Sequence, residues 1–379
     1  MGGFSYANKP QPSSSLPPKR VVDYVTIYDF LRPLIFSLEP EFAHRLTIRS
    51  LLIGGRWFRH VEQDDPKLAV SAMGLRFSNP LGMAAGFDKD GEVPDSILDL
   101  GFGFTEIGTV TPLPQMGNPR PRVFRLPGNR ALINRLGFNN KGQEMLAARL
   151  TKRSKKEKNS LGSGVLGINI GANKNSSDRI RDYGTGARNL SHLADYLTIN
   201  VSSPNTPNLR RLQSREALTD IIDQVSSAAP NVPLLVKIAP DLSDQDLENV
   251  AEVGLDSGLA GIIVSNTTLD RPPSLDKKYG REQGGLSGSP LFKKSTRILG
   301  KMYRLTKGQI TLVGAGGVSS GEDVLEKVRA GASLIQLYTA LVYEGPSLIK
   351  KIKHDLLHLL EREGFETITD ALGTDDGKK

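Results

Sequence analysis

The sequence predicts an α/β fold, a closed (β/α)8 TIM barrel preceded by an N-terminal helical hairpin. Three observations carry that expectation. After Lys67, eight short apolar runs alternate with longer stretches of helical character. Runs such as LADYLTINV and LLVKIAP are continuously apolar, as strands covered on both faces must be. Polar and glycine-rich residues follow the runs at their C-terminal ends, where barrels of this type keep their chemistry.

The elements follow in order. Residues 1–21 are polar and rich in Pro and Ser, and read as a disordered tail without the features of an export or mitochondrial signal. Residues 22–66 read as a separate N-terminal helical segment. Its first helix repeats Tyr28, Leu31, Leu34, Ile35 and Leu38 at helical spacing. Glu39-Pro40-Glu41 opens a second, with Pro40 suited to the first turn, and Phe42, Leu46, Leu51 and Leu52 along it; Trp57 and Phe58 follow. So much apolar surface must dock, either wholly on the barrel or with an outer edge in a bilayer interface.

Residues 67–373 form the barrel and 374–379 a C-terminal tail. Strands are expected near Leu81–Ala85, Phe104–Gly108, Val165–Ile170, Tyr196–Val201, Leu234–Ile238, Gly261–Ser265, Thr311–Gly314 and Leu334–Tyr338. The length of 379 residues suits a barrel of about 250 residues with an appendage. No apolar run reaches the roughly 18 residues of a membrane-crossing helix.

Composition removes several chemistries. With no cysteine there is no disulfide, no thiolate metal site and no thiol acid or nucleophile; no metal site is expected. The net charge of +8 is modest. The densest basic run, Lys152 to Lys158, lacks aromatics and reads as a solvated loop, so no nucleic-acid partner is expected. An anionic substrate or membrane surface accounts for the excess equally well.

The strand ends carry the candidate site. Gly314-Ala315-Gly316-Gly317-Val318-Ser319-Ser320-Gly321 follows the seventh strand and opens a helix. Glycines let backbone N–H groups approach an anion, and a helix N-terminus favours one. Taken alone this is an ordinary glycine-rich turn; its place beside Tyr338-Thr339 after the eighth strand favours phosphate. Asn169, Asn200, Ser265, Thr109 and the Ala84-Ala85-Gly86 backbone ring the same mouth and suit a flat heterocycle with amide-like edges. Lys237 ends the fifth strand within LLVKIAP, where an inward lysine is costly unless it meets an anion. Reduced flavin is anionic at its pyrimidine edge, so Lys237 there would stabilise it.

Ser202-Ser203-Pro204-Asn205-Thr206 follows the fourth strand. His192 precedes that strand and falls at the opposite barrel end, which argues against a Ser-His-Asp nucleophile. A serine base needs desolvation and a proton path, to which Thr206 could belong; taken alone, the run is equally a hydrogen-bonded loop. Lys89, Asn134-Arg135-Leu136-Gly137-Phe138, Asn205, Asn266 and Thr267 supply cationic and amide groups suited to a small planar carboxylate, on which Phe138 could stack. The plainer alternatives are core packing for Phe138 and a surface salt bridge to Asp88 or Asp90 for Lys89.

At these residues the sequence resembles the class 2, quinone-linked dihydroorotate dehydrogenases. The likeness runs from about Pro40 to about Gly373 through AHRL, NPLGMAAGFDKDGE, GFGFTEIGTVTPLPQ, GNPRPRVFRLP, INRLGFNN, NVSSPNTPNLR, VKIAPDL, NTTLDRP, GGLSG and GAGGVSSGEDVLEKVRAGASLIQLYTAL. The resemblance implies oxidation of dihydroorotate to orotate in pyrimidine biosynthesis, with one FMN per chain and a quinone as acceptor. It implies that Ser203 takes the C5 proton while a hydride leaves C6, and that Thr206 and Phe138 shape the proton's exit. Implied FMN contacts are Ala84, Ala85, Gly86, Thr109, Asn169, Asn200, Lys237, Ser265, Gly288, Gly317, Tyr338 and Thr339. Implied substrate contacts are Lys89, Asn134, Arg135, Leu136, Gly137, Phe138, Asn200, Asn205, Asn266 and Thr267.

Ser265 departs from a threonine common in relatives but keeps the hydroxyl, and Leu136 stands where some relatives have tyrosine. Class 1 relatives use a cysteine as base, and this chain has none. His44, Arg125 and Tyr338 become candidates for the inner end of a quinone tunnel under the hairpin. A monomer is expected, lying on a bilayer surface through the hairpin; the lack of a mitochondrial presequence and of a membrane-crossing run favours the cytoplasmic side of a cell membrane, with the mitochondrial inner membrane as the alternative. Two rivals follow from the residues alone: a flavin barrel acting on a tRNA base, disfavoured by the missing cysteine, and a non-enzymatic phosphate-binding barrel. Within the family, a soluble enzyme linked to fumarate or NAD is the nearest rival.

Overall fold

The computed structural model describes residues 27–54, 63–157, 164–206, 208–276 and 278–375. Two helices come first, α1 (Ile27–Ser37) and α2 (Pro40–Gly54), with Pro40 opening the second as expected. Trp57, Phe58 and the tail over residues 1–21 lie outside the described residues. A small antiparallel hairpin of β1 (Val70–Ala72) and β2 (Leu75–Phe77) leads into the barrel.

The remaining strands are β3 (Leu81–Met83), β4 (Phe104–Val110), β5 (Val123–Leu126), β6 (Ala131–Asn134), β7 (Val165–Ile170), β8 (Tyr196–Asn200), β9 (Leu234–Ile238), β10 (Gly261–Val264), β11 (Gly285–Gly288), β12 (Thr311–Ala315) and β13 (Leu334–Leu337). Eight of them close in the order β3-β4-β7-β8-β9-β10-β12-β13, every pair parallel. The helices between and after them are α3 (Pro94–Leu98), α4 (Gln143–Glu157), α5 (Arg179–Leu190), α6 (Arg215–Ala228), α7 (Asp244–Asp256), α8 (Phe292–Thr306), α9 (Gly321–Arg329), α10 (Thr339–Glu344) and α11 (Leu348–Glu363).

Sequence decides the barrel's filling by pairing small with large across neighbouring strands. Gly82 stands beside Phe104 and Gly167 beside Tyr196. A Cβ at Gly82 would sit 2.2 Å from the Phe104 ring, and one at Gly167 would sit 2.1 Å from the Tyr196 ring. Each glycine therefore makes room for a buried aromatic, which is how a barrel interior is packed without voids. Strands β11, β6 and β5 form a separate antiparallel sheet whose residues wall the barrel mouth.

The helical hairpin is pinned at both ends. The Tyr28 hydroxyl donates to the Val342 carbonyl at 2.7 Å, and Arg32 donates to the Tyr343 carbonyl at 3.0 Å. Phe36 meets Tyr343 edge-on at 5.6 Å. On α2, the buried Glu41 carboxylate takes Arg122 at 2.6 Å and Arg120 at 3.0 Å. Arg122 holds that carboxyl at about 2, well below the usual range.

Two expectations need correction. Residues 152–157 of the basic run are the last turns of α4 and not a loop. The segment is built from good helix formers with no Gly or Pro to stop it, and its charge does not prevent a helix. Lys158 lies outside the described residues. Several strand ends also shift: Ala84, Ala85, Val201, Ser265 and Tyr338 fall just beyond their strands, while Thr109, Val110 and Ala315 lie within theirs. At the C-terminus, Asp375 is ion-paired with Arg329 at 2.8 Å. Among the described residues no helix is long and apolar enough to cross a membrane.

Candidate active site

The C-terminal strand ends open into one continuous cavity of about 870 Å3 that runs from the barrel mouth out beneath the hairpin. Its floor is a buried polar network. Glu106 on β4 accepts from Asn169 Nδ2 at 2.8 Å, Gln336 Nε2 at 2.8 Å, Thr198 Oγ1 at 3.0 Å and the Tyr196 hydroxyl at 3.1 Å. Asn169 in turn accepts from Thr109 Oγ1 and from Asn200 Nδ2, the latter at 3.2 Å. Thr109 and Asn200 reach the cavity wall, whereas Asn169 is fully buried beneath them and does not line it.

Lys237 rises from β9 into the same space. The residue is 6% exposed, and among the described residues the hydrogen bond of its ammonium is a long one, 3.5 Å to Gln336 Oε1. Burial lowers its pKa, with Glu106 opposing. A buried cation this weakly held calls for an anionic neighbour in the cavity.

The serine loop follows β8. Ser203 is buried and lines the cavity, and its Oγ accepts the Asn205 amide at 3.2 Å. Asn205 Nδ2 donates to Asn134 Oδ1 at 3.2 Å, and Asn266 Nδ2 donates to Ser202 Oγ at 3.0 Å. With Thr267 they make one amide-rich wall. Arg210, which sequence reasoning did not single out, clamps this wall from behind. It donates to the carbonyls of Ser202 at 3.1 Å and Thr267 at 3.0 Å, and pairs with Asp241 at 2.8 Å. Leu136, Gly137 and Phe138 close the opposite edge, with Phe138 in the left-handed region at φ 54°.

Lys89 lines the cavity, and among the described residues it does not make the surface salt bridge to Asp88 or Asp90 that was its plainer alternative. Asp88 is occupied by the amides of Glu92 and Val93, and Asp90 by the Lys141 amide. Burial lowers the Lys89 ammonium to about 8, although Glu41 acts to raise it. Thr206 is buried but does not line the cavity. Arg135 turns away: it ion-pairs with Glu282, donates to the Pro121 and Gln283 carbonyls and stacks over Phe124 at 4.6 Å. Its neighbours Asn134 and Leu136 face inward because side chains alternate along extended chain.

A glycine cradle lies across the mouth. Gly288, Gly316 and Gly317 have φ of 92°, 103° and 79°. A Cβ at Gly317 would sit 2.6–2.7 Å from Phe292, backbone included, so only glycine lets the chain pass so close to α8. Among the described residues no protein acceptor takes the amides of Gly316, Gly317 or Val318. Thr339, at the start of α10, donates its hydroxyl to Ser287 Oγ at 2.9 Å. Ala84, Ala85, Gly86 and Ser265 complete the wall between cradle and serine loop.

The outer end is apolar. His44, Phe87 and Tyr338 form a cluster, with Phe87 edge-on to both partners at 5.3 and 5.5 Å and the Tyr338 hydroxyl 3.4 Å from His44 Nδ1. Burial lowers His44 to about 3, so it is neutral in any ordinary buffer. Arg125 donates to the carbonyls of Phe36 at 3.2 Å and Leu38 at 2.9 Å, with its guanidinium 4.8 Å over the Phe36 ring. Leu31, Leu34, Ile35 and Leu46 line the space between the two helices, and Leu34 is 66% exposed at its rim.

Glu106, Gln336 and the Glu41–Arg122 clasp were also not foreseen. Glu106 and Gln336 lie in strand segments whose composition alone does not distinguish a network hub from an ordinary polar residue, and the clasp joins residues 81 positions apart. Within the described residues no cluster of His, Cys, Asp and Glu could hold a metal ion.

Comparison with known proteins gives a concordant picture. A family profile described as dihydroorotate dehydrogenase matches residues 67–360. A protein from Parvibaculum lavamentivorans named dihydroorotate dehydrogenase (quinone) is 52% identical over 350 residues, covering 92% of this chain and 99% of the relative. The mitochondrial dihydroorotate dehydrogenase (quinone) of Oryza sativa is 48% identical, over 91% of this chain and 79% of the relative. The crystal structure of DHODH from Eimeria tenella in complex with ferulenol superposes with a TM-score of 0.87 at 40% identity, covering 91% of this chain and 99% of that one.

Proposed function

The chain belongs to the dihydroorotate dehydrogenase family, and from that premise we propose how its cavity divides the reaction between two ends. The chain oxidises dihydroorotate to orotate, a step of pyrimidine biosynthesis, and a quinone takes the electrons. Members of the family use a flavin, and the cavity suits FMN: three backbone amides without protein acceptors stand at a glycine cradle, and a buried, weakly held ammonium faces the same space. When bound, the flavin accepts the hydride leaving C6 of dihydroorotate and yields its electrons to the quinone.

Gly288, Gly317 and the Tyr338-Thr339 turn would hold the phosphate of FMN. Ala84, Ala85, Gly86, Thr109, Asn200 and Ser265 would hold its ring, and Lys237 would stabilise the negative charge that the ring gains on reduction. Asn169 acts through Asn200 and Thr109, which it holds. Dihydroorotate lies against Asn134, Asn205, Asn266 and Thr267, with Lys89 opposite its carboxylate and Phe138 and Leu136 at its edge. Ser203 Oγ accepts the C5 proton as its own hydroxyl proton leaves along the exit that Thr206 and Phe138 shape. The amide of Asn205 already donates to that oxygen, which stabilises its deprotonated form, while burial away from water keeps the oxygen basic enough to take a proton from carbon.

Quinone enters between α1 and α2 and meets His44, Tyr338 and Arg125. The exposed Phe30 (75%), Leu52 (60%) and Ile53 (85%) continue the apolar surface outward, which supports a hairpin resting in a bilayer surface. One chain supplies every group named, so a monomer suffices, peripheral to the cytoplasmic side of a cell membrane or to the mitochondrial inner membrane.

The observation that carries this reading is the continuity of the cavity from Ser203 to the hairpin. The test is anaerobic addition of dihydroorotate to the purified yellow protein. Flavin absorbance should bleach, and then recover when a quinone is added; bleaching without recovery would defeat the proposed outer end.

A further inference from the structure

The buried amine of Lys327 on α9 takes no part in the chemistry above. Its residue is wholly inaccessible, and Nζ donates to Ser295 Oγ at 2.9 Å and Thr296 Oγ1 at 3.0 Å, 5.0 Å from the Phe292 ring centroid. Among the described residues it has no carboxylate within ion-pair distance; Asp323, on the same helix, is engaged by the Ser319 amide and hydroxyl. Three hydroxyl and ring contacts do not repay the desolvation of an ammonium.

The contacts lead to the glycine cradle. Ser295 Oγ, which accepts the Lys327 hydrogen bond, has two carbonyl oxygens at 3.0 Å for its single hydrogen, that of Phe292 within α8 and that of Gly316 in the cradle. The Gly316 carbonyl belongs to the Gly316–Gly317 peptide. In a trans peptide the C=O and N–H point in opposite directions, so the N–H of Gly317 faces away from Ser295, and Gly317 lines the cavity. A cation that draws on the carbonyl through a hydroxyl makes the N–H at the other end a stronger donor. Burial lowers Lys327 to about 7 against the pull of Glu326 and Asp323, a charge state that a nearby dianion would restore.

We propose that Lys327 is a positioning residue for the phosphate of the flavin, polarising the Gly316–Gly317 peptide through Ser295 from beneath the cradle. The proposal rests on the reading of the cradle as a phosphate site. It separates from mere support of the fold because it acts on the phosphate group and not on the ring.

Full-length protein stripped of flavin is titrated with FMN and with riboflavin, which lacks the phosphate, following flavin fluorescence. The wild type should prefer FMN. Lys327→Met should reduce that preference by about tenfold, the scale of one charge-assisted hydrogen bond, with riboflavin affinity unchanged, and Lys327→Arg should restore part of it. Equal weakening of both ligands, or an unchanged ratio, overturns the proposal while leaving the phosphate site intact. Should Lys327→Met fail to fold, Ser295→Ala decides, since it leaves the amine but cuts the link: a preserved ratio there overturns the proposal. A wild type indifferent to the phosphate would instead remove the phosphate reading itself.

Discussion

Two single residues bear the sharpest consequences. Removing the Ser203 hydroxyl takes away the proposed proton acceptor without touching the cradle, so Ser203→Ala should slow flavin reduction by roughly 10²–10⁴-fold, the usual worth of a positioned base, while the protein stays yellow. Stopped-flow reduction by dihydroorotate measures this, and an unchanged rate would assign the proton elsewhere. Lys89 gives a pH signature. Burial sets its ammonium at about 8, and the charged form is the one that meets a carboxylate, so kcat/KM for dihydroorotate should fall as the pH rises through about 8. Lys89→Met should raise KM on the order of 10- to 100-fold, the range for a hydrogen bond to a charged group, and should lose the alkaline limb; a limb that persists in the variant belongs to another group.

Residues also show what could be read beforehand. Ser203 and the glycines could be found because each follows an apolar run, and Lys237 because it interrupts the end of one, and a barrel's topology turns that place in sequence into a place in space. Arg135 misled for the same reason: its neighbours face the cavity, and alternation along an extended segment sends it outward to Glu282. Asn169 is one layer too deep, a distinction of a few ångströms that spacing does not encode.

Among the elements, α2 of the helical hairpin is tied to the barrel by a buried clasp. Glu41 on α2 is bound by Arg122 and Arg120, and Arg122 lowers its carboxyl to about 2. A folded-state pKa below the unfolded one stabilises docking fully above about pH 5, and the contribution is lost as the pH falls towards about 2. The hairpin should therefore loosen in that window before the barrel melts, detectable as earlier hydrogen exchange over residues 40–54 than over the barrel strands. Glu41→Gln should bring the same loosening at neutral pH. If exchange in α2 tracks the barrel throughout, the clasp is not what holds it.

The hairpin's helices were legible from apolar spacing and from Pro40, but the clasp was not, because its partners lie some eighty residues apart and nothing in either segment points to the other. The end of α4 was misread from charge alone, although its helix formers pointed the other way.

At the scale of the whole molecule, closure of the barrel is where polar chemistry and stability meet. Glu106 on β4 ties together Asn169 on β7, Tyr196 and Thr198 on β8, and Gln336 on β13. It also offsets the charge of Lys237. Glu106→Ala leaves four buried donors without their acceptor, and should cost about 3–5 kcal/mol of global stability, the range for breaking a buried charged network. Urea unfolding monitored by far-ultraviolet circular dichroism reads it, and a loss under about 1 kcal/mol, within the net worth of an ordinary hydrogen bond, would mean that the network relaxes around water. The barrel itself was legible in the alternation of apolar runs, since topology needs only their order. Its interior was not, because pairs such as Gly82 with Phe104 become neighbours only after closure.

The cavity that reaches from Ser203 to the hairpin has a kinetic corollary. Its two ends differ in polarity, so on the proposed reading the reductant and the oxidant need never queue for the same doorway. A greasy molecule wedged between Leu34 and Leu46 should stall turnover while the first encounter with dihydroorotate still bleaches the protein at full speed. Raising the concentration of dihydroorotate should fail to relieve that stall; if it does relieve it, the two doorways are one.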